Sequence, residues 1–157
     1  MSAPGDRPAD RVRDLLQRVA EALALPASVS IEEDGRTIRG TLEGENLGLF
    51  IGRRGQTIDA VQHLAYKVAT REVPPSAGVR VVVDAAGYRA RREQALHRQA
   101  DQAATQAVRT GRPVALDAMS ATERKVVHER LKDRDDVETY SEGTEPDRHL
   151  VVAPLGA

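Results

Sequence analysis

The sequence predicts an α+β protein built as two small domains, and three observations carry that reading. Segments with helical spacing alternate with short extended runs in the order α-β-β-α-α-β and then α-β-α-β-β. The chain has 157 residues, of which 40% are hydrophobic, enough for two modest cores. No internal repeat or low-complexity tract interrupts it. The domains are expected at 10–84 and 85–157, behind a disordered polar tail at 1–9.

In the first domain Val12, Leu15, Leu16, Val19 and Leu23 recur at helical spacing, and Pro26 is expected to close that helix near residue 24. Extended runs at 28–33 and 36–43 flank Asp34-Gly35, a hairpin signal. Leu47, Leu49, Phe50 and Ile51 then form a short apolar turn ahead of Gly52-Arg53-Arg54-Gly55. A helix follows from about Gln56 to Arg71, with Ile58, Val61, Leu64, Ala65 and Val68 as its buried stripe, and Pro74-Pro75 ends it. The run Val79–Asp84 is β-branched throughout its centre and reads as a strand buried on both faces.

The second domain opens with a long helix that ends at Gly111 and bears Tyr88, Arg89, Arg91, Arg92 and Arg98 beside a stripe made mostly of alanine. A short strand at 113–117 precedes a helix from 121 to about 132. Ser120-Ala121-Thr122-Glu123 fits a capping box at its start. Strands at 137–142 and 148–153 flank an acidic, solvated turn.

Composition excludes several functions. With no cysteine there are no disulfides, no thiolate catalysis and no sulfur-ligated zinc. No apolar run approaches the roughly 18 residues of a membrane span, and the charged N-terminus is unlike a signal peptide, so a cytoplasmic location is expected. His63, His97, His128 and His149 lack metal-ligand spacing, and Asp133, Asp135 and Asp136 lack the pattern of a calcium loop. Neither a metal nor another cofactor is expected.

The formal net charge of -1 and only four aromatics, Phe50, Tyr66, Tyr88 and Tyr140, argue against a uniformly basic nucleic-acid binder or an aromatic base-stacking platform. That average hides segregation. Residues 85–134 hold 11 basic against 6 acidic side chains, whereas 135–147 hold six acids and no base. Arginine outnumbers lysine 20 to 3, which suits bidentate phosphate contacts, although genomic base composition produces the same bias.

Two local features carry candidate chemistry. Gly52-Arg53-Arg54-Gly55 joins two helices, where flanking glycines admit an anionic backbone and the following helix start offers N–H groups. A tight turn with solvated arginines accounts for the same residues. It is neither a phosphate loop of the Gly-Lys-Ser/Thr type nor a dinucleotide fingerprint. The second feature is Arg124 and His128, four apart on one helix. It reads as a phosphate-binding patch, an ordinary surface pair, or a general acid with its neighbour, and no Ser, Asp or second His is placed to make it catalytic.

The segment LGLFIGRRGQTIDAVQHLAYKV within its α-β-β-α-α-β frame resembles a type II KH domain, whose GXXG loop clamps about four nucleotides of single-stranded backbone. That likeness implies a phosphate-binding loop of Gly52, Arg53, Arg54, Gly55 and Gln56, with bases in an aliphatic groove beside Ile51 and Ile58 rather than on aromatic rings. The second half is similar to the R-three-H domain, which binds single-stranded nucleic acid. Arg124 and His128 match its name residues, and Lys125, Arg148 and Arg92 are expected on the same surface. Tyr88 falls in a pattern typical of the family or packs the joint between domains.

Together, from about residue 10 to 154, the motifs GLFIGRRGQTIDAVQHL, VVVDAAGYRARRE, TGRPVALDAMSATERKVVH and VETYSEG resemble the Jag family, also called SpoIIIJ-associated or KhpB-like. Many members carry a further N-terminal Jag domain, whereas about nine residues precede the first helix here, so roles resting on that domain are not implied. The resemblance implies a non-enzymatic binder of single-stranded RNA, with single-stranded DNA as the alternative ligand, linked to control of cell elongation or division. It also implies a small single-KH protein as partner, and a homo-oligomer is compatible with the sequence. The competing reading is an adaptor that pairs with such a partner and touches RNA incidentally.

Overall fold

The computed structural model describes residues 5–156, so the first four residues of the expected tail lie outside them. The chain divides into two compact units, Met1–Arg89 and Ala90–Ala157. The first helix, α1, spans Pro8–Ala22 and so begins inside the segment expected as tail. Arg7 ahead of it pairs with Glu33, and Arg11 reaches Asp6. The end of α1 comes from a left-handed residue rather than from Pro26. Ala24 takes φ 53°, Leu25 N donates to the Ala20 carbonyl at 2.9 Å, and Ala24 N donates to Glu21 at 3.0 Å.

The hairpin pairs β1 (Ser28–Asp34) antiparallel with β2 (Thr37–Glu43), and β2 pairs in parallel with β3 (Arg80–Ala85), giving the order β1-β2-β3. A parallel pair cannot be closed by a tight turn. The crossover is made by α2 (Gly48–Ile51), a single 3₁₀ turn at Arg53–Gly55, and α3 (Gln56–Ala69). The core holds Val12 and Leu16 of α1, Phe50 of α2, Ile58, Val61 and Ala65 of α3, and Ile38, Leu42, Val81 and Val83 of the sheet.

Two expectations need correction here. β3 is an edge strand with one covered face: Val81, Val83 and Ala85 are buried, while Arg80, Val82 and Asp84 alternate with them on the more open side. Leu64 leaves the buried stripe of α3, which runs through Ile58, Val61, Ala65 and Ala69, and is 51% exposed. Gly40 explains how closely α1 lies on the sheet. A Cβ there would stand 2.5 Å from Leu16 Cδ1 and 3.3 Å from Val12 Cγ1, and both side chains are fully buried.

In the second unit the long helix α4 (Tyr88–Thr110, its first two residues belonging to the first unit) buries Leu96, Ala100, Ala103, Ala104 and Ala107. The remaining elements are β4 (Val114–Ala115), α5 (Ala121–Leu131), β5 (Val137–Glu142) and β6 (His149–Pro154), in an antiparallel sheet of order β4-β6-β5. Central β6 is the strand covered on both faces, with Leu150, Val151, Val152 and Ala153 all buried. Ser120 caps α5 by accepting from Glu123 N at 3.3 Å, but the Glu123 carboxylate takes the Arg92 guanidinium, so only half of the expected box is made.

Urea unfolding distinguishes these constraints. Gly40→Ala is expected to lower stability by about 1–3 kcal/mol, because the Leu16 and Val12 side chains facing the new methyl are fully buried. Ala24→Gly is expected to raise it by about 0.5–1 kcal/mol by relieving the left-handed alanine.

Candidate nucleic-acid interface

The loop between α2 and α3 is held by its backbone. Gly52 takes φ 74° and ψ 174°, Arg54 φ 55° and ψ 27°, and Gly55 φ 76° and ψ 14°. The two glycines are required by conformation and by space. A Cβ on Gly52 would collide with Thr57, lying 2.8 Å from its amide nitrogen, and one on buried Gly55 would stand 2.6 Å from the Tyr88 hydroxyl. Gly52 N donates to Gly48 O at 2.8 Å, Gly55 N to Gly52 O at 3.2 Å, and Gln56 N to Arg53 O. The Gly55 and Gln56 N–H groups are therefore used inside the turn.

Arg53, Arg54 and Gln56 are exposed. Among the described residues the Arg53 guanidinium makes no ion pair. Ile51 is half-buried beside the loop, whereas Ile58 is fully buried in the core and presents no surface to a base. Leu49 of the short apolar segment is 67% exposed on α2, three residues before Gly52.

The second candidate site is rearranged more deeply. Arg124 is 8% exposed; its Nη1 donates to the Met119 carbonyl at 2.7 Å and to Glu145 Oε1 at 3.1 Å. It holds the start of α5 to the β5–β6 turn, and the expectation of an open phosphate contact there is corrected. Four residues along a helix turn the side chain by about 40°. That offset sets Arg124 with buried Val127 and Leu131 while His128 emerges on the surface.

Arg148 and Arg92 are likewise committed to protein groups. Arg148 Nη1 donates to Gly143 O at 2.7 Å across the same turn, and Arg92 Nε donates to Glu123 Oε1 at 2.6 Å with both side chains mostly buried. Lys125 and His128 remain exposed on α5, with His128 Nδ1 2.6 Å from Thr139 Oγ1. The acidic stretch 135–147 is partly paired within its own unit. Glu145 meets Arg124, His149 lies 3.4 Å from Glu142, and Asp136 is paired bidentately with Arg134, which holds its carboxyl below the ordinary range. Among the described residues no three His, Cys, Asp or Glu side chains are grouped to hold a metal, and no helix is long and apolar enough to cross a membrane.

The two units match separate families. Residues 11–83 match the KH domain of KhpA/KhpB, and residues 94–154 match the R-three-H domain. A KH domain followed by an R-three-H domain defines the class of protein. The chain is 34% identical over 148 residues to RNA-binding protein KhpB of Bacillus subtilis and 34% identical over 146 residues to that of Clostridium symbiosum. It is 36% identical over 140 residues to RNA-binding protein KhpB of Lactiplantibacillus plantarum. These alignments cover 93%, 92% and 89% of the chain, and 70%, 65% and 43% of the relatives. The chain belongs to the KhpB (Jag) family.

Truncation of the buried guanidinium tests its structural role. Arg124→Ala is expected to destabilise the second unit by about 1–3 kcal/mol, since the Met119 carbonyl loses its donor. Lys125→Ala is expected to change stability by less than about 0.5 kcal/mol. Urea titration followed through amide signals of α5 and β6 reads both.

Proposed function

We propose that this chain binds single-stranded RNA through the Gly52–Gly55 loop and acts without catalysis, as a post-transcriptional regulator linked to cell elongation or division. One observation carries the reading: two exposed arginines stand on a turn whose flanking glycines have no room for side chains. Such a turn presents positive charge with little conformational freedom to lose, and it lets a sugar–phosphate backbone approach. The names of the relatives, RNA-binding proteins with both domains, support RNA as the ligand. Bases would lie beside Ile51 and Leu49.

Lys125 and His128 are the second proposed contact, replacing the Arg124-centred site. Two weak contacts on one chain reinforce each other through effective concentration. The adaptor reading rests on a different observation, Leu64, which is half exposed on α3 and suits docking of a partner KH protein.

Arg53→Asp combined with Arg54→Asp is expected to weaken binding to a fluorescent single-stranded RNA at least about tenfold while circular dichroism is unchanged. Loss of two single-strand phosphate contacts should also lower the slope of log affinity against log salt by about 1.4. Wild-type affinity and slope in the double variant would remove the loop from the mechanism. Leu64→Asp should leave RNA affinity intact, and loss of a partner KH protein in pull-down would favour the adaptor reading.

A further inference from the structure

We infer that Tyr88 and Arg89, which follow the segment matched as the KH domain, are positioning residues that set the shape of the Gly52–Gly55 loop, an inference that rests on the loop's proposed role in RNA binding. Both residues belong to the first compact unit although they open α4.

Arg89 commits its whole guanidinium to that unit. Nε donates to the Val83 carbonyl at 2.7 Å, Nη1 to Asp59 Oδ1 at 3.0 Å and Nη2 to Gln62 Oε1 at 3.0 Å. Its backbone N–H donates to Asp84 Oδ1 at 3.2 Å. Gln62 Oε1 also accepts from Val83 N at 2.9 Å. Both main-chain groups of Val83 are thereby satisfied by side chains on the edge of the sheet away from β2, which no other strand covers among the described residues.

The geometry carries two consequences. First, a planar guanidinium bonded through all three nitrogens has one orientation, so it fixes the first two turns of α3, where Asp59 and Gln62 sit, against β3. Those turns begin at the loop. Second, anchoring Arg89 anchors its neighbour. Tyr88 is the side chain against which Gly55 closes: a Cβ at Gly55 would lie 2.6 Å from its hydroxyl and 3.0 Å from Cε1. The loop's last residue is thus seated on an aromatic ring delivered by the next helix. In this arrangement the ring supports the backbone rather than stacking on a base, consistent with a half-buried Tyr88.

The test uses the full chain and reads the loop both with and without RNA. In the absence of RNA, Arg89→Ala and Tyr88→Ala are expected to speed amide exchange at Gly55–Ile58 while core amides of α1 and β2 exchange as in the wild type. With RNA, both are expected to weaken binding about fivefold or more, with the wild-type salt slope, because no phosphate contact is removed. The Arg53→Asp, Arg54→Asp chain should lose affinity and slope without faster exchange.

Wild-type exchange at Gly55–Ile58 in both brace variants would overturn the inference, and so would a lowered salt slope in Arg89→Ala, which would make Arg89 a phosphate contact. The exchange arm contains no RNA, so failure of the binding role alone is recognised separately by the double aspartate variant. If Arg89→Ala accelerates exchange throughout the unit, Asp59→Asn provides the milder cut: faster exchange confined to Gly55–Ile58 supports the brace, and wild-type exchange overturns it.

Discussion

The parallel pairing of β2 with β3 is the constraint from which the first unit follows. Antiparallel neighbours can be joined by two residues, as β1 and β2 are, but parallel neighbours require the chain to return across a face of the sheet. The return path buries Phe50, Ile58 and Val61 against the strands, which fixes where α2 ends and α3 begins. The GXXG loop is the corner of that path. Its exposure, glycine content and left-handed residues are consequences of turning a helix within four residues over an already packed sheet. The apolar core and the charged corner are thus parts of one topological solution.

Arginine does two different jobs in this chain. At the corner, Arg53 and Arg54 are presented to solvent. Elsewhere the same side chain is a tie: Arg89 joins α3 to β3, Arg92 joins α4 to α5, and Arg124 joins the head of α5 to the β5–β6 turn. The second unit has an alanine-lined helix and only a two-residue β4, so its apolar burial is thin. Charge-assisted bonds to carbonyls and carboxylates supplement that packing, and several donors on one planar group allow a single side chain to satisfy two elements.

The order of elements was legible in the residues because periodicity, Gly and Pro positions and capping all agree along most of the chain. The GRRG corner was legible too, since glycines three apart with cations between them have a local cause. What sequence alone could not separate was direction. Spacing of four groups Arg124 with His128, yet a 40° offset puts one under the surface and the other on it. Leu64 looks like a core residue until the sheet and α1 have claimed the faces that α3 covers. β3 and β6 have similar apolar runs, and only the strand order tells that one is an edge and the other central. Arg89 gave no signal of its role, because its partners Asp59 and Gln62 lie 30 and 27 residues away.

The pairing within the second unit also alters the electric field of its acidic end. Counted along the chain, 135–147 is a block of six negative charges. In space, Glu145 is answered by Arg124 and Asp136 by Arg134, while Glu142 has His149 nearby. A neutralised pair projects a dipole, whose influence dies away faster with distance than that of a single charge, and saline shortens it further. Two of the six charges are thus held in ion pairs with arginine, so the field at this edge is weaker and more uneven than the count along the chain implies.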